Sequence, residues 1–319
     1  MSFRNHVAAS RLQHAVDAEL TLPVPAAATA LAAALADHGG GSVAAVLFYG
    51  SVLRTGDLDG ILDFYVLTSS LRGWHRHGGL ALATRLLPPT VEYWELPWQG
   101  GTVRAKVAVL RTDQFARAVR AGAIDTTIWA RFCQPVRLLY ARDQESRQRV
   151  TALIAAAVTT AAGWAARLGP PEGTDAPGFW DALFRHTYAA ELRVEKGDRA
   201  VSIVDHARDR YAALLTPAWT AGGLAWEQGA DGPLVPRLTP AARARARRAW
   251  AVRRRLGKLL NMARLVKAAF TFTGGVDYIL WKIERHSGVR PEMTPWQRRH
   301  PVLSAPLMLW RLWRRGAVR

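Results

Sequence analysis

One cysteine in 319 residues, Cys133, leaves no internal disulfide and no cysteine-rich zinc site. Flanked by Phe132, it reads as an inert core thiol. Long apolar runs are also missing. The opening Met1-Ser-Phe-Arg-Asn-His lacks the apolar core of a signal peptide. The longest weakly polar stretch, Ala152–Ala166, is rich in Ala and Thr and too short to span a bilayer convincingly. No Walker, dinucleotide or Gly-x-Ser-x-Gly signature occurs, which removes P-loop and hydrolase readings. Acidic residues are scarce: 25 Asp and Glu stand against 43 Lys and Arg, a formal charge of +18. With 13 tryptophans, that balance points to an anionic partner: nucleic acid, a membrane surface or a phosphorylated substrate. The expected location is the cytoplasm, peripheral on the inner face of the membrane.

What is present divides the chain into an α/β part and a helical part. Helix-like spacing covers residues 8–20 and 25–37, ending in Gly39-Gly40-Gly41. Val43–Tyr49 and Ile61–Thr68 read as buried strands, Leu71–Leu87 as a helix stopped by Pro88-Pro89. Thr90–Leu96 and Thr102–Leu110 read as strands around a Gly100-Gly101 turn, and Asp113–Ala121 as a helix. Helices follow near 148–168, 180–195 and 205–215, and a Gly/Pro-rich stretch, Thr220–Pro240, precedes strongly basic helices. The expected organisation is an α+β domain over 1–147, a mainly helical domain over 148–236, and a basic C-terminal region over 237–319.

The chemistry concentrates in Phe48-Tyr49-Gly50-Ser51 and Leu62-Asp63-Phe64-Tyr65-Val66-Leu67. A strand, a Gly-Ser turn and a second strand bearing one carboxylate form the layout of a nucleotidyltransferase site. The turn lets backbone N–H groups approach a triphosphate, and the carboxylate holds Mg²⁺ against it. Asp63 has little reason to stand between Leu62 and Phe64 unless a cation or donor meets it; otherwise it caps a neighbouring turn. Nucleotidyltransferases commonly place a second acid two residues away, and Ile61 occupies that position here. Asp59 would share Asp63's strand face at about 13 Å, so it reaches the site only if Gly60 turns the chain; Asp57 ranks with it. Lys106, interior to the apolar strand Val103–Val109, is expected to meet a phosphate or Asp63, or else to snorkel at a sheet edge, and Arg104 shares its face. His75 and His77 are spaced as a metal pair, but no further Cys or His stands near them. Arg264 and Lys267, one helical turn apart, form either an anion-binding pair or a solvated basic face. Pro301–Arg319, with Trp310 and Trp313 among arginines, suits an interfacial helix on anionic lipid or docks on the protein's own core.

In order and separation, these segments, together with Trp74-His75, Arg131-Phe132-Cys133-Gln134-Pro135-Val136 and Tyr188-Ala189-Ala190-Glu191-Leu192-Arg193, resemble the mitochondrial-type phosphatidate cytidylyltransferase family. Its members look like Tyr-Gly-Ser-Gly, Leu-Asp-Phe, Trp-His, Ile-Lys-Tyr-Gly-Val, Gly-Arg-Leu-x-Lys-Pro-Val and Tyr-x-Gly-Asp-x-Arg. The resemblance runs from about Phe48 to Tyr211 and returns near Asn261–Gly275. It implies a nucleotidyltransferase fold, CTP and phosphatidic acid as substrates, CDP-diacylglycerol and pyrophosphate as products, and Mg²⁺ as cofactor. On it, Asp63, Lys106 and Glu191 are catalytic, with Asp63 and Asp59 toward the metal. Gly50, Ser51, Tyr188 and Arg193 bind nucleotide, and Arg264 and Lys267 meet substrate phosphate. His75 lines the site or supports it. The sequence departs from the pattern at Val52, which replaces the second glycine, and at Ala190 and Glu191, which replace Gly and Asp. The alternative is a degraded nucleotidyltransferase that binds lipid or RNA through its basic surface; on the first reading nucleic acid is not the partner. Oligomeric state is left open.

Overall fold

The computed structural model describes residues 3–56, 60–190, 203–228 and 232–271, with residues 294, 296 and 297. Helix α1 (Phe3–Leu20) buries Ala8, Leu12, Val16 and Leu20, a single stripe at i, i+4 spacing. Helix α2 (Ala26–Gly39) buries Leu31 and Leu35 and leads through a short turn into β1 (Val43–Tyr49). Strands β2 (Leu62–Thr68), β3 (Thr90–Trp98), β4 (Gly101–Arg111) and β5 (Val136–Ala141) complete a five-stranded sheet in the order β3-β4-β2-β1-β5. Only β2 and β4 run parallel; the other neighbours are antiparallel. The β3–β4 hairpin turns at Gln99 and Gly100, both at positive φ (47° and 78°), as a two-residue loop that follows strand twist requires.

Short helices join the strands: α3 (Ser51–Thr55), α4 (Leu71–His75), α5 (Gly78–Leu86), α6 (Thr112–Ala118) and α7 (Thr127–Phe132). The single helix expected over 71–87 is thus two helices. Arg76 turns left-handed at φ 53°, and the His77 side chain caps α5 by accepting the Gly79 N–H at 3.2 Å. Beyond the sheet come α8 (Gln144–Leu168), α9 (Ala176–Ala190), α10 (Arg208–Ala221), a small hairpin of β6 (Trp226–Gln228) and β7 (Leu234–Pro236), and α11 (Pro240–Thr271).

Because side chains alternate across a strand, the sheet feeds two cores. Phe48, Phe64, Val66, Val107 and Val109 meet α2 and Trp74 on one face. Leu47, Tyr65, Leu67, Ala108 and Leu110 face a larger core shared with α1, α7 and α8, which continues through Phe179, Phe184, Tyr211 and Trp219 to Trp250. The expected boundary at 147/148 falls inside α8, and residues on both sides of it build this one core. The result is a mixed α+β architecture whose helices crowd mainly one side of the sheet.

A charged pair lies within that larger core. Arg210 of α10 donates to the Glu19 carboxylate of α1 and to the Cys133 carbonyl at 2.9 Å. Glu19 also accepts the Val136 N–H at 3.1 Å, tying α1 to the start of β5. Both side chains are largely buried, at 14% and 13% exposure, so removing one leaves the other charge without its main partner. Arg210→Met should cost on the order of 3 kcal/mol in urea unfolding, and Glu19→Gln combined with it should recover part of that loss. A single variant with native stability would show that the pair does not fasten α1 to α10.

Candidate active site

Strand register brings the first-ranked residues together. Tyr49 of β1 lies opposite Asp63 of β2, Asp63 opposite Lys106 of β4, and Lys106 opposite Tyr93 of β3. Directly opposed residues share a face, so this row projects from one side of the sheet, with neighbouring strands about 4.8 Å apart. Arg104 falls on the same face two residues earlier and pairs with Glu95 at 3.3 Å.

Gly50 follows β1 at φ 98° and opens α3. A Cβ built on it would stand 2.4 Å from Asp63 Oδ2. No side chain fits there, so both the backbone conformation and the approach to the carboxylate demand glycine. Ser51 is exposed at the start of α3, beside this turn. Val52, which stands where the resemblance has glycine, is buried among Phe48, Phe64 and Leu62 in the opposite core. Its side chain therefore points away from Asp63.

The carboxylate sits in a cationic setting. Burial is the largest influence on Asp63 and raises its pKa above the ordinary aspartate value; Lys106, Arg131 and Arg54 oppose that rise. Arg131 and Arg54 belong to the site although neither was singled out in the sequence. Arg131, on α7, donates to the Tyr65 hydroxyl at 3.1 Å and lies 5.8 Å from the centre of the Tyr49 ring. Arg54 ends the helical turn that Ser51 begins. Signals existed for both: Arg131 opens the Arg-Phe-Cys-Gln-Pro-Val segment, and Arg54 is one turn beyond the Gly-Ser pair. Tyr211 of α10 is also within electrostatic reach of Arg54 and buries a hydroxyl that finds no hydrogen-bond partner among the described residues.

Other expected residues lie elsewhere. Lys267 donates to the carbonyls of Leu87 and Pro89 at 2.5 and 2.6 Å and to Thr90 Oγ1 at 3.2 Å. Arg264 donates to the Pro88 carbonyl at 2.8 Å and to Asp125 Oδ2 at 2.5 Å. Burial, with Arg264 alongside, brings Lys267 down to about 8. Thr90 is three residues along β3 from Tyr93, about 10 Å from the Asp63 row. These two cations hold α11 to the start of β3. Tyr188, near the end of α9, is partly buried against the larger core. Asp57, Asp59, Glu191, Arg193, the Gly274-Gly275 end and the Pro301–Arg319 tail lie outside the described residues.

His75 serves the opposite face of the sheet. Its Nδ1 lies 3.3 Å from Glu92 Oε1, and its Nε2 is 2.8 Å from Thr84 Oγ1. Glu92 also accepts from Trp74 Nε1 at 2.9 Å and Trp94 Nε1 at 3.1 Å. Burial alone would raise Glu92, but the hydrogen bonds from His75, Trp74 and Trp94 outweigh it and hold the carboxyl below its ordinary value. His75 is thus a supporting residue, and with His77 capping α5 the two do not form a metal pair.

Among the described residues no group of three or more His, Cys, Asp or Glu side chains converges on one point. Mg²⁺ needs less from protein when phosphates and waters complete its shell, one or two carboxylates sufficing. Asp63, packed against the Gly50 backbone, supplies one such carboxylate.

Asp63's raised pKa has a stability consequence. Between the ordinary aspartate value and the raised one, the folded state binds more proton than the unfolded, so stability falls as pH rises through that window. Above it, the ionised group opposes folding. Asp63→Asn should therefore melt at or above the native temperature at neutral pH and lose that slope under acid titration. A clearly lower melting temperature would make Asp63 a structural ion-pair partner of Lys106. No family model and no curated protein matches this sequence.

Proposed function

We propose that this chain is a nucleotidyltransferase acting on a lipid phosphate, as a CTP:phosphatidate cytidylyltransferase that yields CDP-diacylglycerol and pyrophosphate at the cytoplasmic face of a membrane. One observation carries the reading: a turn without a side chain approaches a carboxylate that is opposed in register by a lysine. The choice of CTP and phosphatidic acid comes from the sequence resemblance.

In the proposed reaction a phosphatidate oxygen attacks the α-phosphorus of CTP. A new P–O bond forms as the bond to the bridging β-oxygen breaks, and pyrophosphate leaves with that oxygen. Lys106, Arg131 and Arg54 supply the positive charge that draws a triphosphate to this face. The backbone at Gly50 and Ser51 faces the phosphates, and Asp63 would hold Mg²⁺. When bound, the ion neutralises charge on the phosphates. Burial supports the role of these groups, since charge interactions strengthen where water is thinned.

A second reading draws on the same setting. One described carboxylate among three cations also suits an anion-binding module, for lipid or RNA, that has lost turnover. Incubating the protein with each α-labelled nucleoside triphosphate, Mg²⁺ and phosphatidate micelles separates the two. The first reading expects lipid-extractable label from CTP. Asp63→Asn should lower the rate on the order of a hundredfold, and Lys106→Met should raise the apparent KM for CTP with the melting temperature nearly unchanged. Tight anion binding without labelled lipid would favour the module.

A further inference from the structure

Helix α11 is 32 residues long and contains no acidic residue. One side of it is fastened to the protein. Ala246 and Trp250 enter the larger core, and Arg243 donates to the carbonyls of Ala166 and Gly169 at the end of α8. Arg253 donates to Ala123 and Ala121 and lies 4.4 Å over the Trp164 ring, and Arg264 and Lys267 grip the start of β3 as described above.

Another side is bare. Val252, Leu256, Leu259, Val266 and Phe270 are 50%, 37%, 60%, 59% and 77% exposed. At 100° per residue these five fall within an arc of about 80° and run about 27 Å along the axis. Met262 and Leu265, also exposed, widen the strip. Half of the fourteen large exposed apolar side chains among the described residues thus lie on this one helix, a concentration beyond scattered surface leucines. Exposed cations accompany it: Arg245 and Arg248 precede the strip, and Arg255 and Lys258 flank it.

We infer that this face of α11 is the surface by which the protein docks on an anionic bilayer, its apolar strip entering the headgroup boundary and its cations meeting lipid charge. The chemistry favours that occupant. A second copy of the helix would bring more cations and no acid to meet them. A nucleic acid would answer the cations but leave Leu259, Val266 and Phe270 without an apolar partner. The purpose of docking rests on the lipid-acceptor reading above, while its test does not.

That test floats the full-length protein with phosphatidylcholine vesicles that contain or lack phosphatidylglycerol. The native chain should float with the anionic vesicles, weakly with the neutral ones, and less as salt rises. Leu259→Glu with Val266→Glu removes apolar surface at exposed positions, so binding should fall at least about tenfold with the melting temperature unchanged. Equal flotation of native and variant chains would overturn the inference, as would failure of the native chain to float. So would a lowered melting temperature, which would show the strip covered by residues 272–319, or loss of a native dimer in the variant, which would show a self-association face. Transfer to a short-chain soluble phosphatidate should continue at the native rate in the variant. If flotation behaves as expected but no transfer occurs with any acceptor, the docking surface stands and the catalytic reading fails.

Discussion

The arrangement at the candidate site depends on one close approach, that of the Gly50 backbone to the Asp63 carboxylate. The turn can approach only because position 50 has no Cβ and accepts φ 98°. The carboxylate can stay there only because cations answer it on several sides. Lys106 comes from the parallel neighbour strand, Arg131 from α7 and Arg54 from α3. Each belongs to a different element, so the charge setting exists only when the sheet is fully paired and α7 is in place. Burial raises the carboxylate's pKa against those cations, which makes Asp63 a group the fold tolerates rather than one that steadies it.

What holds those elements in place is the larger core, which covers the same face of β1 and β2 beside the site. Tyr65 shows the connection. Its ring packs against Phe132 at 4.9 Å while its hydroxyl accepts from Arg131, so one residue serves both core and site. The Glu19–Arg210 pair works at the next level. It joins the first helix to α10 and, through the Cys133 carbonyl and the Val136 N–H, to the end of α7 and the start of β5. An ion pair in such a place is a weak source of stability but a strict condition on assembly, since either partner alone is costly. The segment that carries Arg131 is thereby positioned by residues more than a hundred positions before it and about eighty after it.

Sequence made the central strands legible because strands buried on both faces must be apolar runs, as in Val43–Tyr49 and Leu62–Thr68. The edge strand β5 was not anticipated. Its Val-Arg-Leu-Leu-Tyr-Ala is mostly half-buried and mixes charge with apolar residues, so it lacks that signature. Helices α3 and α7, of five and six residues, are too short to show a period. At the site, Asp63 and Lys106 could each be singled out as charges within apolar strands, and Asp63 was one of two partners expected for Lys106; the register of β2 against β4 sets the two opposite each other. Arg131 was visible as a motif residue with no stated purpose. Its purpose comes from a tertiary contact with Tyr65 that spacing does not encode.

The basic charge shows a further limit of composition. A count of +18 points to anionic partners, yet many of the arginines behind it answer the protein's own carbonyls and carboxylates. Arg243, Arg253, Arg264 and Lys267 all donate to backbone oxygens, a use of cations that relieves helix ends and loops with no external ligand. Position around the axis of α11 separates these from Arg248, Arg255 and Lys258, which stand exposed beside apolar side chains. The same residue type therefore does two jobs on one helix. Inward it substitutes for hydrogen-bond donors that the backbone lacks, and outward it gives an apolar strip a charge preference. Net charge alone cannot separate the two uses; the direction of each side chain does.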